Sequence, residues 1–237
     1  MNKNNLQKFI QKYSLGGLIE SVVWKANGNK LSVRFISDDK TMLGEVDYGK
    51  FDSTPFEIGI YTTSLLKNLI GILDNDLSLK VDTVGDRAAI LKLTSEETET
   101  AYQLADLGVI PTVPDFKTLP EFNVDIEMAA NMIDKFIKAK GALSDVDNFT
   151  VFTEGGDLKM AIGYATSATN RVTFNCQKGY DGVVIPISFS AKYLKEILTA
   201  NREATSAKLK ISTDGLSHIA FQIDDFVCNY YLVEISN

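Results

Sequence analysis

The order of amphipathic segments repeats along this chain, and that repeat restricts the possible folds more than any single motif does. Helix, strands, helix, strands runs over residues 1 to about 105 and returns from about 124 to the end. Leu66-Lys67-Asn68-Leu69-Ile70 aligns with Leu194-Lys195-Glu196-Ile197-Leu198, and the extended stretches ahead of them, Phe56 to Tyr61 and Val184 to Phe189, keep the same offset. Leu77-Ser78-Leu79-Lys80-Val81 then matches Lys208-Leu209-Lys210-Ile211 after a short insertion. Between the halves, the stretch from Ile110 to Pro120 holds three of the five prolines, a composition suited to an extended tether. The expected organisation is an N-terminal domain at 1–108, a linker at 109–123 and a C-terminal domain at 124–237.

Period-two alternation dominates each half. It appears at Leu31/Val33/Phe35, Leu77/Leu79/Val81, Leu158/Met160/Ile162, Val172/Phe174/Cys176, Leu209/Ile211 and Ile219/Phe221/Ile223. Such runs predict half-buried antiparallel strands. Turn signals separate many of them, among them Asn27-Gly28-Asn29, Gly155-Gly156-Asp157 and Asp214-Gly215. Four segments have helical spacing instead: Leu6/Phe9/Ile10/Tyr13, Leu65/Leu66/Leu69/Ile70/Leu73, Ile126/Ala129/Ile133/Phe136/Ile137 and Leu194/Ile197/Leu198. Ser64 and Ser190 are candidate N-caps or near-caps. The predicted class is α+β, two similar domains of antiparallel sheet with two helices each.

Charge gives the first functional constraint. A net charge of −7 argues against nucleic-acid binding over the general surface, so any DNA contact needs basic residues concentrated in one place. The predicted polar backs of the helices supply them: Lys8 and Lys12 on the first, Lys67 with Asn68 on the second, Asn131, Lys135 and Lys138 on the third, and Lys192 and Lys195 with Arg202 beyond on the fourth. Lysine without interleaved aromatics suits phosphate contacts and offers no means of reading or stacking bases. Binding of that kind is sequence-independent and salt-sensitive. An ordinary solvated helix face is the other reading of each stripe.

The chain opens Met1-Asn2-Lys3-Asn4-Asn5 without the apolar core of a signal peptide, and no run approaches the roughly 20 apolar residues of a membrane span. A cytoplasmic protein is expected, in the host cytoplasm if the chain is viral. Cys176 and Cys228 read as buried thiols in strands and are too few for a cysteine zinc site.

The chain resembles the sliding clamps of the proliferating-cell nuclear antigen and T-even bacteriophage type. The resemblance rests on Phe56-Glu57-Ile58-Gly59-Ile60-Tyr61 running into Leu65-Leu66-Lys67-Asn68-Leu69-Ile70-Gly71-Ile72-Leu73, on Tyr193 to Leu198, and on the ending Asp224 to Val233. It implies a head-to-tail homotrimeric ring with helices lining a hole that encircles double-stranded DNA. It further implies a polymerase and an ATP-dependent clamp loader as partners, no cofactor, and a pocket for partner peptides. The positions matching that pocket are Met42, Leu43, Val109, Ile110, Pro111, Leu232 and Val233; plain packing at the seam between domains suits the same residues.

An enzyme is the competing class. His218 is the only histidine and sits in an alternating strand. No Walker loop, G-x-S-x-G or histidine cluster is present, and Asp38-Asp39 and Asp224-Asp225 read as turns. No catalytic or metal residue is expected. A monomeric processivity factor of the same fold and a scaffold or virion protein without DNA remain as alternatives.

Overall fold

The computed structural model describes residues 2–116, 118–165 and 169–235. Lys117 of the predicted linker and the last two residues of the predicted C-terminal domain lie outside them. The chain divides into two compact units. Unit 1 comprises Met1–Asp38, Leu43–Pro114 and Gln222–Cys228, and unit 2 comprises Asp39–Met42, Asp115–Phe221 and Asn229–Asn237.

Unit 1 carries α1 (Lys3–Ser14), β1 (Val22–Asn27), β2 (Lys30–Ile36), β3 (Met42–Tyr48), β4 (Phe56–Ile60), α2 (Thr63–Ile72), β5 (Ser78–Val84), β6 (Arg87–Thr94) and β7 (Glu99–Gln103). Neighbouring strands run β4-β1-β2-β3 and β5-β6-β7. Unit 2 repeats the plan with β8 (Val124–Ala129), α3 (Ala130–Ala142), β9 (Asn148–Glu154), β10 (Asp157–Ile162), β11 (Val172–Gln177), β12 (Ile187–Ser190), α4 (Ala191–Ala200), β13 (Ser206–Ser212), β14 (Leu216–Ile223), which belongs to this unit as far as Phe221, and β15 (Phe226–Val233), whose residues from Asn229 onward belong to this unit. Its strands follow the orders β15-β14-β13-β8 and β11-β10-β9-β12. The observed class is α+β with antiparallel strands and two similar halves. Gly155 and Gly156, at φ 63° and 79°, make the two-residue turn between β9 and β10, a geometry that needs the left-handed region at both positions.

Aromatic packing fixes each helix pair. In unit 1, fully buried Trp24 of β1 meets Phe9 edge-on, with ring centres 5.5 Å apart, and Tyr13 at 6.3 Å. The Tyr13 hydroxyl lies 3.2 Å from Thr63 Oγ1, tying α1 to the first turn of α2. Burial pushes the Tyr13 phenol above its ordinary value. In unit 2, Phe136 of α3 packs edge-on against Phe149 of β9 at 5.8 Å, and Phe149 against Phe189 of β12 at 5.7 Å.

Two local expectations are corrected. Ile126 and Ala129 lie in β8, where Ile126 pairs with Leu209, and α3 starts at Ala130. The alternation of Val124, Ile126 and Met128 into the core decides this, because period two satisfies them and period 3.6 does not. Leu65 is 50% exposed and falls off the buried face of α2, which is held by Leu66 and Ile70. Ser64 is a near-cap and not the cap of α2: its N–H donates to the Glu20 carboxylate at 2.9 Å, while Ser190 does cap α4 by accepting from the Tyr193 N–H.

Phe9→Ala removes the ring that joins α1 to Trp24 and should cost about 3–5 kcal/mol. Denaturant unfolding of the purified variant measures this, and a loss under about 1 kcal/mol would show that the site collapses around the gap.

Candidate nucleic-acid interface

A helix advances about 100° per residue, so burying one stripe determines which residues project away from it. In α1, Leu6, Phe9, Ile10 and Tyr13 go inward, and Asn4 and Gln11 are exposed with Gln7 and Lys8 half-buried at the edges. In α3, Ile133, Phe136 and half-buried Ile137 take the matching inward places, and Asn131, Lys135 and Lys138 are exposed. Asn4, Lys8 and Gln11 therefore correspond to Asn131, Lys135 and Lys138.

The predicted cations meet different fates. Lys67, Lys135, Lys138, Lys192 and Arg202 are exposed. Lys195 is half-buried and pairs with Glu196 at 2.7 Å. Arg202 donates to Asp134 at 2.9 Å, leaving a partly neutralised surface pair. Lys12 is a correction. It is fully buried, with its amine 5.4 Å from the centre of the Phe226 ring. It borders the stripe next to Phe9, and the Gln222–Cys228 segment of unit 1 closes over it.

Two lysines outside the predicted set explain where other helix charge goes. Lys3 donates to the carbonyls of Gly71 and Leu73 at the end of α2. Buried Lys140 donates to the Leu143 and Ser144 carbonyls beyond α3, at 3.4 and 2.7 Å. Both serve the electronegative end of a helix.

The seven positions matched to a partner pocket divide by burial. Met42, Leu43, Ile110 and Leu232 are buried; Val109, Pro111 and Val233 are exposed. Strand alternation accounts for the last pair, since Leu232 faces inward and Val233 outward on β15. In unit 1, Ile110 and Pro111 help enclose a cavity of about 550 Å³ against Val23, Val33, Lys25 and Arg34, and the Arg34 guanidinium donates to the Pro114 carbonyl at 2.9 Å. Val23, Lys25 and Arg34 of that cavity carry no local signal, because outward positions on β1 and β2 read as ordinary solvated sheet. In unit 2, Phe116, Tyr231, His218 and Phe122 form a row of rings at successive spacings of 4.7, 4.6 and 5.9 Å, also unseen in sequence.

His218 Nε2 lies 2.9 Å from Asn229 Oδ1, and burial among these rings, with Lys210 nearby, lowers its pKa. Half-buried Cys176 is pushed up to about 12 by burial, which keeps the thiol protonated and unreactive at neutral pH. Among the described residues, no cluster of three or more His, Cys, Asp or Glu is placed to hold a metal ion, and no helix is long and apolar enough to cross a membrane.

No family model and no curated protein matches the chain. Solved structures do. The proliferating cellular nuclear antigen of Entamoeba histolytica superposes with a TM-score of 0.74 at 18% identity, covering 99% of this chain and 96% of that one. The PCNA of A. fulgidus, solved with the C-terminal region of FEN-1 bound, superposes with a TM-score of 0.75 at 16% identity, covering 100% and 97%. The chain has the PCNA-like clamp fold.

A group whose folded pKa is depressed contributes stability above its unfolded value and loses it as pH falls. For His218 the window opens near about pH 6.5 and extends down through the folded pKa. Stability should therefore fall across that range, and less so in His218→Gln. Parallel denaturant curves from about pH 7.5 to 5 check this; equal slopes for the two proteins would refute it.

Proposed function

We propose that this chain is a sliding-clamp subunit: it joins copies of itself into a homotrimeric ring, encircles duplex DNA without reading its sequence, and tethers a polymerase. It performs no chemistry of its own. The observation that carries this reading is the placement of lysine. In a chain of net charge −7, Lys67, Lys135, Lys138 and Lys192 stand exposed on the helices and take part in no ion pair among the described residues. Off the helices, Lys25, Lys30, Lys50, Lys80, Lys92 and Lys159 each meet a carboxylate, and Lys178, Lys208 and Lys210 take part in no ion pair among the described residues. Unpaired cations on helix faces suit phosphate contact.

The lobes of this clamp are residues 1–108 and 124–237, with 109–123 as tether. Strands β7 and β11 stand at the ends of their strand orders, and such open ladders supply the pairing through which identical chains close head to tail. Binding of the FEN-1 C-terminal region by the A. fulgidus protein supports peptide docking here too. Val109 and Pro111, beside the 550 Å³ cavity, offer contacts on unit 1, and Val233 with the ring row offers them on unit 2. The partners proposed for these surfaces are a DNA polymerase and an ATP-dependent loader.

Light scattering across a dilution series should give a mass near three times 26.1 kDa, and protein placed on DNA should be retained on closed circles and should run off linear duplex. A monomer at every concentration, released equally from both, would replace the ring with a one-sided processivity factor.

A further inference from the structure

The two repeats carry the same helix plan and differ in what those helices offer to a polyanion. We propose that duplex DNA is held electrostatically by unit 2, through Lys135 and Lys138 of α3 and Lys192 of α4, and that α1 of unit 1 meets it with neutral amides. This rests on the clamp reading and adds to it a division of labour between the halves.

The matching hollows on the two leading helices show the contrast. On α1 a depression of about 540 Å³ is lined by Asn2, Asn4, Asn5, Gln7, Lys8 and Gln11, five amides and one half-buried lysine. On α3 a groove of about 470 Å³ against β11 holds exposed Lys135 and Lys138 together with Asn131, Thr173 and Asn175. At equivalent positions Gln11 stands where Lys138 does, and Lys8 is half-buried where Lys135 is exposed.

Two of the remaining unit 1 helix cations widen the difference, and one narrows it, since Lys67 is exposed where its counterpart Lys195 is paired with Glu196. Lys3 is engaged with the Gly71 and Leu73 carbonyls, and Lys12 is buried beside Phe226. Lys67 alone among the described α1 and α2 lysines is exposed. In unit 2, Lys135, Lys138 and Lys192 are all exposed and outside any ion pair among the described residues. Ammonium groups displace condensed counterions from phosphate, whereas amides donate hydrogen bonds without releasing ions. Salt-dependent affinity therefore belongs to unit 2.

The test uses the full chain, a short fluorescent duplex and anisotropy measured over a salt series. Lys135→Gln/Lys138→Gln/Lys192→Gln should weaken binding and reduce the log–log salt slope by about 0.9 for each phosphate that is no longer neutralised. Lys8→Gln/Lys67→Gln should reduce it by less for each lysine replaced. All five positions are exposed or half-buried, and thermal melts verify that folding is retained. A slope reduced equally or more for each lysine by the unit 1 pair overturns the asymmetry alone, as does a triple variant whose slope is unchanged. A triple variant that no longer self-associates by light scattering while its slope is kept reassigns the groove to an interface between copies, which also overturns it. Equal release of the unchanged protein from closed circles and linear duplex overturns the clamp reading beneath it.

Discussion

In both units a pair of helices buries its apolar stripe, and that burial sets the rotation of each helix about its own axis. Trp24 against Phe9 and Tyr13 does this for α1, and Phe149 against Phe136 for α3. Each ring contributes on the order of 2–3 kcal/mol when removed from water, far more than any exposed ion pair. The helix therefore turns to suit its rings, and the charged residues accept whatever orientation results. Lys135 and Lys138 face solvent because Ile133 and Phe136 do not.

Rotation alone does not make a cation available. Lys3 and Lys140 satisfy backbone carbonyls at helix ends, Lys12 lies under the Phe226 ring, and Lys195 and Arg202 meet carboxylates. Each is basic by composition and spent locally. In a chain of net charge −7 few helix cations are left unpaired, and these are the ones that the proposed phosphate contact can use. That is why Lys67, Lys135, Lys138 and Lys192 carry more functional information than the total lysine count.

The likeness to the two PCNA structures, at 16–18% identity over nearly whole chains, has the same origin. Nothing in such a fold requires a particular catalytic side chain at a particular place. What the fold preserves is a pattern of inward apolar and outward polar positions, which many sequences satisfy. Family-level sequence comparison loses the thread where packing does not.

The repeat, the strand-rich class, the four helices and the exposure of Lys67, Lys135, Lys138 and Lys192 were legible from periodicity, because these depend on alternation along one element at a time. Ile126 and Ala129 fit helical spacing with Ile133, but the alternation of Val124, Ile126 and Met128 fits only period two, and the pairing with Leu209 places Ile126 in β8. Lys12 was misread because it borders the apolar stripe and is covered by Phe226, which stands near the other end of the sequence. The unit 1 cavity and the ring row from Phe116 to Phe122 join residues of separate strands and loops. Local spacing determined which face each element turns inward; only the tertiary structure decided which outward residues are covered, because that depends on packing between segments that no window of sequence contains.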